Sequence, residues 1–239
     1  MKSYEFLDES IEDKGIFKAV FLSGLPGAGK STVIQKVTDG AVQPRIVNTD
    51  RSYEFLLKKN DISADAAAWA LFGPQSKVMN SAMLYNYLNS MLPMFVDGTS
   101  ADTGALLRRS GILESLGYDT MMIWVNIDVE EAIRRAQARE RKVDPNFIRH
   151  VHDQIEANKQ FYKSRFSSNF VEVDNNADNF NAMEAKTYGI ASKHFMSPVQ
   201  NPIGLKTINK LQESGEKYLV PSIYDPEYLK KVVGVWYQK

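Results

Sequence analysis

The chain has 239 residues, 44% of them hydrophobic, which suits one α/β domain with additions and a sizeable buried core. Lysine plus arginine and aspartate plus glutamate each number 29, so the chain lacks the global positive charge that binds nucleic acid. The absence of cysteine excludes a disulfide framework, thiol catalysis and a cysteine-ligated metal. No apolar run approaches the roughly 20 residues of a membrane helix. The polar, acidic residues 1–15 are unlike a signal peptide, so we expect a cytoplasmic location and no membrane partner.

A glycine-rich motif lies between the first predicted strand, Ile16–Leu22, and a predicted helix, Thr32–Val37. This context predicts a phosphate-binding loop rather than a chance glycine-rich turn. The glycines let backbone N–H groups surround a polyphosphate, and the helix N-terminus adds its dipole. In that arrangement Lys30 reaches the β- and γ-phosphates of ATP, and Ser31 offers a hydroxyl to Mg²⁺. The motif, GxxxxGK[ST], comprises Gly24, Leu25, Pro26, Gly27, Ala28, Gly29, Lys30, Ser31 and Thr32.

Two acids are predicted at the carboxyl ends of the next two strands. The strand Arg45–Asn48 leads into Asp50, and the strand Pro93–Val96 leads into Asp97, followed by Gly98 and Thr99. Asp50 is positioned to act as a general base on an acceptor hydroxyl. Its alternative role is to cap the helix that follows, and one residue can do both. Asp97 is positioned to hold Mg²⁺ directly or through water, with a cap or a turn as the alternative.

The segment between the two acids is predicted to be helical and to hold the substrate. Helical patterns cover Tyr53–Leu57, Ala64–Phe72 and Val78–Leu92. The dipeptide at Gly73 and Pro74 is predicted to break the helices there.

Strands and helices continue to alternate in the second half of the chain. We expect helices over Asp102–Leu116, Val129–Glu140 and Asn146–Phe166, the last opened by Pro145, and strands over Thr120–Ile127 and Phe170–Val173. The alternation predicts a parallel five-stranded sheet covered by helices on both faces. Together with the phosphate loop and the two acids, it predicts a three-layer α/β fold of the P-loop NTPase type, kinase class, with a helical insertion, an arginine-rich lid and a C-terminal extension. The expected division is a core over residues 1–181 and an extension over residues 182–239 that packs on it.

The lid is expected at about residues 134–146, where cationic side chains are most concentrated: Arg134, Arg135, Arg139, Arg141 and Lys142. A spacing of four places Arg135 and Arg139 on one helical face. Guanidinium groups closing over the γ-phosphate would stabilise the charge of phosphoryl transfer and exclude water. The alternative is a solvated helix face, since Glu131 and Arg135 form an i,i+4 pair.

Two further residues and one set of aromatic side chains have open roles. Asn175 follows the fifth strand and is placed to line the adenine side of the nucleotide site. Arg109 is either a surface charge or faces the acceptor. The aromatic residues near the C-terminus either pack against the core or form a partner surface or substrate lid.

In this order, the phosphate loop, Asp50, Asp97 and the arginine-rich lid resemble the P-loop kinases grouped around polynucleotide 5′-hydroxyl kinases and zeta-toxin-like kinases. The resemblance covers roughly Phe17 to Val173. It implies that Asp50 is the base and that Arg139 contacts the transferred phosphate. The group commonly has an arginine three positions after the base, where this chain has Tyr53, although Arg51 lies nearby. Small stand-alone kinases of this kind are common in phage genomes.

These features predict an ATP- and Mg²⁺-dependent kinase that phosphorylates a hydroxyl of a nucleic acid or nucleotide-type acceptor, with Arg51, Thr99 and Arg109 as candidate acceptor-binding residues. The alternatives within enzymes are a zeta-toxin-like kinase of a nucleotide sugar or other small molecule, and a nucleoside monophosphate kinase. The alternative from another class is a regulatory module in which the nucleotide only orders the lid. That alternative leaves Asp50 without a task.

Overall fold

The fold is built on a parallel sheet of five strands. A computed structural model describes residues 14–38, 42–139, 143–176, 180–215 and 224–238. The spatial order of the strands is β2-β3-β1-β4-β5. Their bounds are β1 Lys18–Ser23, β2 Arg45–Val47, β3 Met94–Asp97, β4 Asp119–Asn126 and β5 Phe170–Asp174.

The described helices connect these strands and continue after the last one. Their bounds are α1 Lys30–Thr38, α2 Thr49–Asn60, α3 Ala66–Asn89, α4 Thr103–Ser115, α5 Val129–Gln137, α6 Pro145–Phe166, α7 Phe180–Met196, α8 Pro202–Glu213 and α9 Pro226–Trp236, with a 3₁₀ turn over Ser167–Asn169. Within the described ranges, no helix combines the length and apolar character needed to cross a membrane.

Aromatic contacts show that helices cover both faces of the sheet. Val20 and Phe21 are neighbours in β1, so their side chains point to opposite faces. Val20 is level with Phe95 of β3, whose ring lies 5.3 Å from that of Phe195 in α7. The ring of Phe21 lies 5.8 Å from that of Phe166 in α6. The predicted three-layer architecture is therefore confirmed.

The predicted break at Gly73 and Pro74 is wrong, because α3 runs without interruption from Ala66 to Asn89 with Pro74 inside it. A proline in a helix interior costs about 3 kcal/mol. Burial of the apolar side chains that α3 shares with α2 offsets this cost: Tyr53, Leu56, Leu57, Ala68 and Phe72 form a separate buried cluster. The Ser76 hydroxyl also donates to the Gly73 carbonyl at 2.8 Å. Tertiary packing thus overrides the local signal.

Lys18 anchors the segment after β5 at the amino ends of β1 and β4. This lysine is 1% exposed, and its Nζ donates to Asp119 Oδ2 at 2.6 Å, to Ser197 Oγ at 3.1 Å and to the Pro198 carbonyl at 2.8 Å. The Asp119 carboxylate also accepts the backbone N–H groups of residues 200 and 201, each at 2.8 Å. We call these residues the Lys18 cluster. The contacts support the proposal that residues 182–239 pack on the 1–181 core.

Candidate active site

The phosphate loop follows β1 and has a backbone that only glycine tolerates at critical points. Gly27 has a φ of +93°, and a Cβ added there would lie 2.2 Å from the Ala132 carbonyl oxygen of α5. At Gly24 an added Cβ would lie 2.7 Å from the Val125 carbonyl oxygen. The loop therefore packs directly on the backbone of β4 and α5. Since α1 begins at Lys30, its positive dipole end lies beside the loop.

Lys30 is the centre of a group of charges. Its Nζ donates to the carbonyls of Gly24 at 2.8 Å and Leu25 at 3.0 Å. Burial lowers the pKa of the Lys30 ammonium, Asp97 and Asp50 raise it, and Arg139 lowers it. The two acids and the lid arginine therefore lie within electrostatic reach of the loop lysine, as the strand-end argument predicts.

Asp97 ends β3 and is held as a buried acceptor. Its Oδ2 accepts a hydrogen bond from Asn48 Nδ2 at 2.6 Å, whereas its Oδ1 is buried and has no partner among the described residues. Burial raises the pKa of this carboxyl, and Lys30 and the Asn48 hydrogen bond lower it. A buried oxygen without a partner is rare in folded proteins. Carboxylate, hydroxyl and phosphate oxygens are the ligands that Mg²⁺ prefers, so Asp97 and Ser31 fit this ion.

The structure corrects one alternative for Asp50. Asn48 is the N-cap of α2, and its Oδ1 accepts the backbone N–H of Asp50 at 2.7 Å. Asp50 therefore lies in the first turn, and it is exposed. The carboxylate of Asp50 is left available, which is compatible with the predicted role as a base. Asparagine is a favoured cap, so the sequence contained this signal at Asn48.

The lid arginines occupy different environments. Arg135 donates to Glu131 Oε1 at 2.6 Å and to the Asn175 carbonyl at 3.3 Å. Arg134 makes two hydrogen bonds of 2.6 Å to the same glutamate. Arg139 is exposed, and its charge acts on Lys30. The i,i+4 pair predicted for Arg135 is thus present, and Arg141 and Lys142 lie outside the described residues.

Asn175 holds the phosphate loop through a side-chain hydrogen bond. It is 1% exposed, and its Nδ2 donates to the Ala28 carbonyl at 2.7 Å, while its Oδ1 has no partner among the described residues. Its backbone N–H donates to the Asn126 carbonyl at 2.8 Å. The expectation that Asn175 lines the adenine side of the site stays a prediction.

The candidate acceptor-binding residues do not form one group. The Thr99 carbonyl accepts the Ser23 hydroxyl at 2.9 Å. Arg109 donates to the Trp236 carbonyl at 3.3 Å, and its guanidinium lies 5.6 Å from the centre of the Trp236 ring. Burial lowers the pKa of Arg109. This arginine is therefore engaged with the end of α9.

Arg51 lines a groove of about 600 Å³ between the edge strand β2 and the helices α2 and α3. Its charge also lowers the pKa of Asp97, so this end of the groove adjoins the candidate metal ligand. We call this cavity the α2–α3 groove. Its walls are formed by Gln43, Pro44, Arg45, Ile46, Asn48, Arg51, Ser52, Phe55, Met79, Met83 and Tyr87.

Two residues near the site carry no sequence motif. Asn80 of α3 is 2% exposed, and its Nδ2 donates to the Asn48 carbonyl and to Ser52 Oγ, both at 2.8 Å. The Tyr237 hydroxyl donates to Asn80 Oδ1 at 3.2 Å. Since Tyr237 is 157 positions away in the chain, no spacing in the sequence indicates the contact.

A parallel sheet of this strand order, with a GxxxxGK[ST] loop after its central strand, defines a P-loop nucleotide-binding fold of the kinase type. Residues 20–161 match the profile of the AAA domain family AAA_33, which is more than half of the chain. The chain belongs to this family. The narrower grouping with polynucleotide 5′-hydroxyl kinases and zeta-toxin-like kinases stays a prediction.

Solved structures share the fold at low sequence identity. An inferred kinase from Chloroflexus aurantiacus is 16% identical with a TM-score of 0.51, over 75% of this chain and 98% of that one. A gluconokinase from Sinorhizobium meliloti is 12% identical with a TM-score of 0.48, over 75% and 94%. A shikimate kinase from Acinetobacter baumannii is 16% identical with a TM-score of 0.45, over 74% and 92%. No curated protein matches the sequence. At these identities the likeness shows the fold alone.

Proposed function

We propose that the protein is an ATP- and Mg²⁺-dependent kinase that transfers the γ-phosphate to a hydroxyl of a small molecule. The observation that carries this proposal is the arrangement at the carboxyl end of β1: the loop with Lys30 follows this strand, Asp97 pairs with Leu22 in the neighbouring β3, and Asp50 and Arg139 lie within electrostatic reach of Lys30. In a kinase the Asp50 carboxylate serves as the base, whereas a module that only binds nucleotide does not require one. The kinase-type strand order and the inferred kinase of the same fold agree with the proposal.

The roles follow from the positions of the side chains. The loop N–H groups and Lys30 bind the phosphates. Ser31 and Asp97 would hold Mg²⁺, which would neutralise phosphate charge. The oxygen of the acceptor hydroxyl forms a bond to the γ-phosphorus, and Asp50 accepts the proton of that hydroxyl. The bond from that phosphorus to the bridging oxygen breaks, and ADP leaves with the electron pair. Arg139 stabilises the charge on the transferred group.

The charge and size of the α2–α3 groove favour a small anionic molecule as the acceptor. Arg45 and Arg51 are among its lining residues, and no aspartate or glutamate of the described chain is. Phe55 is 54% exposed and Met83 is 37% exposed, so the same walls offer apolar contact. A volume of about 600 Å³ lies within the usual range of small-molecule sites. Nucleotides, nucleotide sugars and hydroxy acids all have this chemistry, whereas a long nucleic-acid track would need a larger basic surface.

The proposal is tested by incubating the protein with γ-labelled ATP and a panel of nucleotides, nucleotide sugars, hydroxy acids and 5′-hydroxyl oligonucleotides. We expect one small anionic compound to gain the label. Asp50→Asn should lower transfer at least about 100-fold, the usual scale for loss of an acid–base group. Lys30→Ala should lower it by about 100-fold or more, because it removes a cation that binds the phosphates. Lys58→Ala, on the exposed end of α2, is the matched control and should retain the parental rate.

Two results would contradict this proposal. Parental activity of Asp50→Asn would refute the base assignment. Steady ATP hydrolysis without label in any acceptor would favour a regulatory module.

A further inference from the structure

Hydrogen bonds on the main chain and on the side chain of Asn48 link Tyr237, just after α9, to the candidate metal ligand Asp97. The Tyr237 hydroxyl binds Asn80 at 3.2 Å, Asn80 binds the Asn48 carbonyl at 2.8 Å, and the Asn48 side chain binds Asp97 at 2.6 Å. Asn48 also caps α2, the helix that carries Asp50. We call this set the Tyr237–Asp97 chain.

The Asn48 carbonyl and the Asp50 N–H determine which atom donates in each hydrogen bond of the Tyr237–Asp97 chain. The Asn48 carbonyl can only accept, so Asn80 must present its amide nitrogen there and its oxygen to Tyr237, which therefore donates. The Asp50 N–H can only donate, so Asn48 must present its oxygen to that group and its nitrogen to Asp97. Asp97 Oδ2 consequently receives a donor, a contact that favours the ionised carboxylate.

The protein holds Tyr237 in place from α4. Arg108 Nε donates to the Val235 carbonyl at 3.1 Å and Arg109 Nε to the Trp236 carbonyl at 3.3 Å. Arg108 also binds the Gln238 carbonyl. Cationic donors satisfy the free carbonyls at a helix C-terminus. Trp236 is 1% exposed and packs under Arg109. Tyr237 therefore starts the chain from a fixed point.

We propose that Tyr237 is a positioning residue that, through Asn80 and Asn48, orients Asp97 toward the metal of the bound nucleotide. This inference rests on the proposed function. The family match ends at residue 161, so Tyr237 lies outside the matched region. Without the Tyr237 hydroxyl, the buried Asn80 oxygen loses its donor, and Asn80 holds the Asn48 carbonyl less firmly. The main chain that positions the Asn48 side chain against Asp97 is then less well fixed.

The test uses Tyr237→Phe, which keeps the ring and removes the hydroxyl, with Tyr228→Phe on the exposed side of α9 as the matched control. Calorimetry measures ATP affinity with Mg²⁺ and with EDTA, and needs no acceptor. We expect Tyr237→Phe to weaken binding threefold to tenfold with Mg²⁺, the scale of one hydrogen bond, and to leave binding in EDTA unchanged. Tyr228→Phe should match the parent in both.

A second readout uses the metal-free protein. Hydrogen exchange of the Asp50 amide, which is bonded to Asn48, should accelerate several-fold in Tyr237→Phe and not in Tyr228→Phe. Equal weakening with and without Mg²⁺, or parental values in both readouts, would overturn the positioning role. Failure of the parent to bind ATP with Mg²⁺ would instead refute the proposed function, so the two failures are distinguishable.

Discussion

The Lys18 cluster allows a prediction about burial and charge. In Asp119→Asn, no orientation of the new amide satisfies the site. The carboxylate of Asp119 accepts from Lys18 and Gln200 on Oδ2 and from Asn201 on Oδ1, and all three partners are donors. The amide nitrogen would therefore face at least one N–H group. Lys18, 1% exposed, would be left with an uncompensated charge.

The expected loss in the free energy of unfolding is about 3–5 kcal/mol, because breaking a buried pair leaves a buried charge. The control is Glu227→Gln. The Glu227 pair with Lys230 has a length of 2.7 Å, against 2.6 Å for Lys18 and Asp119, but its side chains are 79% and 64% exposed. Solvent screens an exposed pair, so the control variant should lose little stability.

Urea denaturation followed by circular dichroism measures both losses. Limited proteolysis between α7 and α8 should accelerate in Asp119→Asn, since its backbone contacts with residues 200 and 201 weaken. Equal losses for the two variants would refute the reasoning, because the Lys18–Asp119 pair is buried and carries two further backbone hydrogen bonds, whereas the Glu227–Lys230 pair is exposed.

Two further predictions concern pH and the phosphate loop. Burial and the Lys18 charge lower the pKa of His194 to about 4, so the unfolded chain binds this proton first and stability should fall by about 2 kcal/mol between pH 8 and pH 5. Urea denaturation midpoints at both pH values measure this fall in stability. If His194→Gln loses as much stability between pH 8 and pH 5 as the parent does, the assignment to His194 is contradicted. Gly27→Ala should lose about 2–4 kcal/mol and ATP binding, because its φ is positive and its Cβ meets the Ala132 carbonyl. The control Gly111→Ala, in an open position of α4, should gain up to about 1 kcal/mol in the same denaturation assay, and similar losses for both would refute the steric argument.

The sequence was sufficient for features whose signals are local. The glycine motif with its flanking patterns predicted the loop, and the alternating apolar runs predicted the parallel sheet. The predicted strand ends place Asp97 at the end of β3 and Asp50 shortly after β2, where the structure also has them. The carboxyl ends of parallel strands lie at the same side of the sheet, where ligands bind.

Features that depend on tertiary packing were not predictable in this way. Pro74 signals a break, yet the shared cluster of α2 and α3 keeps the helix continuous. The apolar pattern predicts that the second strand extends through Asn48, whereas Asn48 caps α2. Arg109 and Tyr237 have roles fixed by contacts across more than 100 positions, which one sequence does not reveal.

The sheet separates two tasks along its strands. The Lys18 cluster lies at the amino end of β1, and the phosphate loop follows the carboxyl end of the same strand, about 20 Å away for six extended residues. Directed evolution for heat resistance can therefore change residues at the amino ends of the strands and leave the reaction chemistry untouched. Selection for a new acceptor can likewise change residues at the carboxyl ends of the strands, while the Lys18 cluster at the amino ends keeps the fold stable.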